Sequence, residues 1–211
     1  QITTKVQKLA AGIPCFTAGT MILAARGEVA VERLRAGDLV QTRDNGLQRV
    51  VWSTLRKVSA AQMQNRRGFR PIRIAAGAFG QSRDLLLSPQ HGMLLRSGGE
   101  ERLVRAAHLA RQGHAGVQQV RPPRGAVYVH LCFEDHQVVF ANGLPSESYY
   151  PGPQAMASLS HPALRELIDI FPDLALAQTL DQVARSYGQA ARPYARRRDL
   201  PLWAGELHVP P

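Results

Sequence analysis

A chain of 211 residues, 45% of them hydrophobic, is long enough for one sizeable core or one core with a small appendage, and its composition excludes wholesale disorder. It has no run of 18 apolar residues, so no membrane span is expected, and its first residues lack the apolar stretch of a signal peptide. The net charge of +10, carried almost entirely by arginine, raises the question of nucleic acid. No zinc-finger spacing, nucleic-acid motif or aromatic platform accompanies those arginines, which cluster only from Arg192 to Arg198, so no nucleic-acid partner is expected.

Residues 1–14 read as a lead-in, with no secure helix or strand and an extended approach through Ala10-Ala11-Gly12-Ile13-Pro14 to Cys15. From there to about residue 150 the chain reads as many short strands punctuated by turns, the pattern of an all-β unit. Thr20 to Leu23 is a strand, Arg26-Gly27 turns it, and Glu28 to Val31 continues. Leu34 to Asp38 is a corner in which Asp38 is structural, and Leu39 to Thr42 is a strand. Asp44-Asn45-Gly46 signals a hairpin from which Leu47 to Trp52 returns as one strand. Ala60 to Asn65 is expected as a short helix inserted between strands. Pro71 to Ile74 alternates with period two, and Asp84 to Leu87 and Met93 to Leu95 flank a turn from Ser88 to His91. Val104 to Leu109 and Val117 to Val120 are lesser apolar segments around a loop at residues 113–116. Val127 to Phe133 is the clearest strand, with Val127, Val129, Leu131 and Phe133 on one face and Tyr128, His130 and Cys132 on the other. Val138 to Phe140 leads into the turn signal Asn142-Gly143, and Glu147 and Ser148 read as exposed polar residues.

The composition then shifts. Ser160 or His161 can cap a helix with Pro162 in its first turn, stripe residues Leu164, Leu167, Ile168 and Phe171, and Pro172 as its stop. A second helix is expected with Leu176, Leu180, Val183 and Tyr187 on one stripe. Both stripes should pack on the β unit or on a partner. The tail after Ala190 reads as loosely structured.

Cys15 opens the run Cys15-Phe16-Thr17-Ala18-Gly19-Thr20 directly after Pro14. Its two readings are a small buried hydrophobe and a nucleophile that attacks the Pro14 carbonyl to give a thioester. His91 reads either as a backbone-bonded buried histidine or as the proton donor to a departing Cys15 nitrogen, with Ser88 holding the scissile carbonyl or orienting the turn. Asp135 or His136 can serve as the base for the thiol or hold a water for hydrolysis. His130 reads either as a sheet histidine satisfied by its neighbours or as a functional group, and Cys132 as a core residue. Neither cysteine has a second ligand at a standard metal spacing, so no metal and no cofactor is expected. Two cysteines form no disulfide framework, and a nucleophilic Cys15 has to stay reduced.

Together these segments resemble the Hint (Hedgehog/intein) superfamily, in particular its bacterial intein-like autoprocessing group. Cys15 to Thr20 resembles the family's N-terminal block, and Glu32 to Val40 the segment that follows. Leu87-Ser88-Pro89-Gln90-His91 resembles its threonine-x-x-histidine block with Ser88 in the threonine's place, and Val127 to Gly143 resembles its penultimate strand block, with the functional position near Asp135 or, by preference, His136. The resemblance implies an all-β Hint fold with a short helical insertion and a C-terminal helical extension. It divides the chain into a lead-in at 1–14, an autoprocessing domain at 15–155 and an extension and tail at 156–211. It implies a single-turnover autoproteolytic domain that cleaves at Pro14–Cys15 through an N-to-S acyl shift, with catalytic residues Cys15, Ser88, His91, Asp135 and His136. The substrate would be the chain's own upstream polypeptide, and water or a small nucleophile the acceptor. Gly143 to Ser148 lacks the histidine–asparagine pair of splicing inteins, so splicing is not expected. The bacterial relatives imply a secreted or surface-associated precursor. The alternative is a catalytically inactive Hint scaffold that acts as a binding module.

Overall fold

Short apolar runs separated by turn residues pair with their neighbours, and the computed structural model, which describes residues 13–196 and 208–209, is assembled from such pairs. The strands in chain order are β1 (Phe16–Thr17), β2 (Met21–Ala24), β3 (Gly27–Ala30), β4 (Leu39–Thr42), β5 (Gly46–Arg49) and β6 (Trp52–Val58). The helix α1 (Ala60–Asn65) follows, then β7 (Ile72–Ile74), β8 (Leu85–Leu87), β9 (Gly92–Ser97) and β10 (Glu100–Arg105). After the helix α2 (Ala106–Arg111) come β11 (Val117–Gln119), β12 (Ala126–Cys132), β13 (Val138–Ala141) and β14 (Leu144–Glu147). The helices α3 (Pro153–Met156), α4 (His161–Ile170) and α5 (Leu180–Ser186) close the order.

Two sheets result. The first runs β11-β7-β8-β1-β12-β6, and the second β10-β9-β14-β13-β2-β4-β5 with β3 on the flank of β2. Their facing sides bury one core, which includes Phe16, Ile22, Ile72, Leu87, Val129, Leu131 and Val139. The expected hairpins form at Gly46 (φ +62°) and at Asn142-Gly143 (φ +47° and +84°), where the left-handed backbone suits asparagine and glycine. The expected helix over Ala60 to Asn65 also forms, held by a capping box between Ser59 and Gln62.

The β12 strand is buried on both faces, as its alternation predicts. Val129 and Leu131 enter the first core, while Tyr128 and Cys132 enter a second core with Trp52, Met63, Leu167, Val183 and Tyr187. The apolar stripes of α4 and α5 therefore pack on the outer face of the first sheet. Ser160 caps α4 and Thr179 caps α5.

Several expectations are corrected. Leu47 to Trp52 is not one strand, because the chain leaves the second sheet after Arg49 and joins the first at Trp52, with the Val51 N–H donating to the Cys132 carbonyl. Val104 to Leu109 divides between the end of β10 and the start of α2. Leu176 is 82% exposed, because Thr179 starts the second helix later than the stripe suggests, and Leu180 is also exposed. Glu147 and Ser148 are buried, since β14 lies between β9 and β13 and brings them inside. Residues 192–195, part of the tail expected to be loose, are tied down: the Leu103 N–H donates to the Pro193 carbonyl, the Ala195 N–H donates to the Leu103 carbonyl, and Arg192 pairs with Asp44 and Glu101. The lead-in residues 1–12 and Arg197 and Arg198 lie outside the described residues.

Candidate active site around Cys15

Strand register brings the site together. In β1, Phe16 pairs with Leu87 of β8 on one side and with Val129 of β12 on the other. One residue earlier, Cys15 therefore falls beside Ser88 and beside His130. The Ser88 N–H donates to the Cys15 carbonyl at 3.0 Å, extending the ladder.

Ser88 then does two further things. Its hydroxyl accepts the Cys15 N–H at 2.9 Å and donates to the Ile13 carbonyl at 2.7 Å. It thus holds the peptide groups on both sides of Pro14. A buried hydroxyl is satisfied here as both donor and acceptor by backbone groups.

His130 spans the Pro14–Cys15 junction from the other side. Its Nδ1 lies 3.0 Å from the Pro14 carbonyl oxygen, and its Nε2 lies 3.7 Å from Cys15 Sγ. A carbonyl only accepts, so Nδ1 carries the proton and the Nε2 lone pair faces the sulfur. The Cys15 thiol has a second acceptor in the Ile13 carbonyl at 3.4 Å. Trp52 stacks on the His130 ring and Tyr149 meets it edge-on, so the imidazole is held in place by aromatic packing.

Burial sets the protonation states. It pushes the Cys15 thiol far above its ordinary value, against smaller downward pulls from the Ser88 hydrogen bond and the Arg56 charge. It lowers His130 to about 4, although the hydrogen bond to Pro14 opposes the shift. The resting pair is therefore a neutral thiol and a neutral imidazole.

His91 is also fully buried, edge-on to Phe16, and neither of its ring nitrogens has a hydrogen-bond partner among the described residues. Burial lowers it to about 4, while the Glu147 charge and the Cys15 backbone pull the other way.

His136 belongs to a neighbouring cluster. Its Nε2 donates to the Ser148 carbonyl at 3.2 Å and lies 3.5 Å from the Glu147 carboxylate, and its Nδ1 accepts the Ala191 N–H at 3.1 Å. Both ring nitrogens are engaged away from the thiol. Glu147 further accepts the Gly92 N–H at 2.5 Å and the Tyr194 hydroxyl. Burial raises the Glu147 carboxyl, but the hydrogen bond and charge of His136, with His91 and Tyr194, lower it further than burial raises it. Asp135 is exposed and stands outside both clusters. Of the five expected site residues, Cys15 and Ser88 meet directly, His91 lies close by, His136 sits one cluster away, and Asp135 is not brought in.

The sequence reading left His130 open. Its one signal was a polar residue in the middle of the most apolar strand, on the face shared by Tyr128 and Cys132. Both cysteines are free and buried, and Cys132 lies in the second core beside the Tyr187 hydroxyl, as its core reading expected.

Residues 14–153 match the family model of the Hint domain. Among solved structures, the chain is similar to a bacterial intein-like domain from Clostridium thermocellum, at 18% identity and a TM-score of 0.46, covering 64% of this chain and 97% of that one. It is also similar to a DnaB intein from Synechocystis sp. PCC 6803, at 9% identity and a TM-score of 0.45, covering 64% of this chain and 98% of that one. No curated protein matches. With the family model spanning well over half of the chain, and with two antiparallel sheets and a few short helices, this chain belongs to the Hint domain family.

Proposed function

We propose that this chain is a self-processing cysteine domain that cleaves its own backbone between Pro14 and Cys15. The observation that carries the reading is the His130 ring, which reaches from the Cys15 thiol to the Pro14 carbonyl. One neutral imidazole in that position accepts the thiol proton at Nε2 while its Nδ1–H polarises the carbonyl under attack. Cys15 Sγ bonds to the Pro14 carbonyl carbon, the Pro14–Cys15 C–N bond breaks, and the nitrogen leaves as an amine after taking a proton. His91 is the proton carrier for that nitrogen, and Ser88 orients it through the Cys15 N–H. The base is thus His130, in place of Asp135 or His136, whose positions give neither a line to the sulfur.

The product is a thioester between the Pro14 acyl group and Cys15, resolved by water or another nucleophile. Its substrate is the chain's own upstream polypeptide, in keeping with a family whose members act on their own precursors.

A second reading, an unreactive Hint scaffold that binds a partner, is favoured by one observation: the thiol is deeply buried and within reach of the Ile13 carbonyl as well as the base. Intact mass over time at pH 7–8, with and without dithiothreitol or hydroxylamine, decides between them. Nucleophile-dependent loss of residues 1–14 that is absent in Cys15→Ala supports cleavage, and a chain that stays intact under both nucleophiles overturns it.

A further inference from the structure

A cleft of about 640 Å³ opens beside Pro14, between β14, the turn into α3 and the start of α5. Its volume lies in the range that holds a small organic ligand. Pro14, whose acyl carbon would become the electrophile, lines it, and so do Glu147, Arg105, Tyr194 and Gln178.

Two features of this wall select a ligand. Arg105 has no carboxylate in salt-bridge reach among the described residues, and its guanidinium rests over the Tyr194 ring at 5.7 Å. A planar fork of donors held on an aromatic face is a seat for a carboxylate. Tyr194 in turn gives its proton to Glu147, so its oxygen is left with only lone pairs to offer, and these accept an N–H. Glu147 keeps that end of the cleft negative, held from behind by Gly92 and His136. The cleft therefore has an end for an anion and an end for an amine, with Pro14 on the same wall.

We infer that this cleft is the acceptor site, and that it takes a small primary amine that also carries a carboxylate. The inference rests on the thioester reading above. In the step, the amine nitrogen bonds to the Pro14 carbonyl carbon and the bond from that carbon to Cys15 Sγ breaks. The proton lost by the amine goes to the sulfur. The products are an amide on Pro14 and a free Cys15 thiol.

The test uses the full chain with glycine and glycinamide together at equal concentration, and reads by mass the two adducts on the released residues 1–14. Glycinamide has the same amine and lacks the carboxylate. The glycine adduct should exceed the glycinamide adduct by about tenfold, the size of one charge-assisted contact, and Arg105→Gln should bring the ratio close to one. A wild-type ratio at or below one overturns the inference without recourse to the variant, and so does an Arg105→Gln ratio equal to the wild type's. Release by dithiothreitol with no amine adduct overturns the acceptor site alone. No release by dithiothreitol or by any amine overturns the thioester reading, and this one with it.

Discussion

Lowering the pH from 7.5 to 4.5 should remove a large part of the stability of this fold. His91 and His130 are both buried without charge and both are lowered to about 4 from an ordinary 6.5. The unfolded chain binds protons at both positions as the pH falls below 6.5, while the folded chain resists until about 4. Stability is thus fully present above 6.5 and is lost as the pH falls toward 4. Integrating the proton difference down to pH 4.5 gives a loss of about 2–3 kcal/mol for each histidine, or roughly 5 kcal/mol for the two. Against a typical total of about 5–15 kcal/mol, that is decisive for a single fold. Glu147 adds little in this window, because its carboxyl is lowered and its contribution goes only at more acid pH. The assay is urea unfolding followed by tryptophan fluorescence at half-unit pH steps, in a Cys15→Ala background so that cleavage does not intrude. Adding His91→Leu should flatten the profile by about half. A midpoint that stays level from pH 7.5 to 5, or a His91→Leu profile parallel to its parent's, would refute the buried-neutral assignment.

Four further outcomes are expected. Ser88→Ala leaves the Cys15 N–H without its acceptor and takes from the Ile13 carbonyl one of its two donors, and should cost about 1–3 kcal/mol in urea unfolding, with cleavage slowed as well, whereas Ser88→Thr should retain most of both. Gly92→Ala sets a Cβ 2.9 Å from Glu147 Oε1 and 3.1 Å from Leu103 Cβ, so it should destabilise by about 1–3 kcal/mol, read as a fall in melting temperature. Tyr194→Phe removes a donor from a buried carboxylate and should raise amide hydrogen exchange at residues 191–195 while that of β12 stays unchanged. His130→Gln keeps a polar side chain but no base, and should reduce thiol-induced loss of residues 1–14 by about 100-fold or more in a mass time course.

Hairpins, β12 and the cap of α4 were legible because each is a local matter. Asn142-Gly143 needs only its own backbone preference, Ser160 accepts the Ala163 N–H three residues on, and the alternation of Val127 to Phe133 holds whatever packs against it. Cys15 and Ser88 were legible through their blocks. The rest depends on which strands lie side by side. Glu147 reads as a surface residue until β14 is placed between β9 and β13, and Leu47 to Trp52 reads as one strand until β6 is known to pair with β12. His130 was ambiguous for the same reason, since its place beside Cys15 follows from the Phe16–Val129 pairing and from nothing in its own neighbourhood. Asp135 and His136 drew attention as an acid–histidine pair, but the turn after β12 sends Asp135 to solvent and His136 to Glu147 and Ser148.

A buried thiol with a strongly raised proton affinity is a poor free nucleophile, and in an enzyme of many turnovers it would be a defect. In the proposed reaction, the arrangement around Cys15 would answer this by keeping the proton transfer internal. The thiol would not need to ionise into the medium, because the imidazole at 3.7 Å would take its proton while its other nitrogen holds the Pro14 carbonyl. In that reaction, solution pH should have little leverage on the first step until it falls toward about 4, because both histidines stay neutral above that, and bending the backbone at Pro14 should set the barrier. Ser88 bears on that barrier, since it grips the peptide groups on both sides of the proline and restricts how the segment can move. A rate that climbs tenfold per pH unit from 7 to 9 would mean that the sulfur reacts as a thiolate formed in solvent exchange, and that His130 is not its base. A rate that is level over that range and falls only as the pH approaches about 4 would mean that the imidazole and the thiol react as one unit.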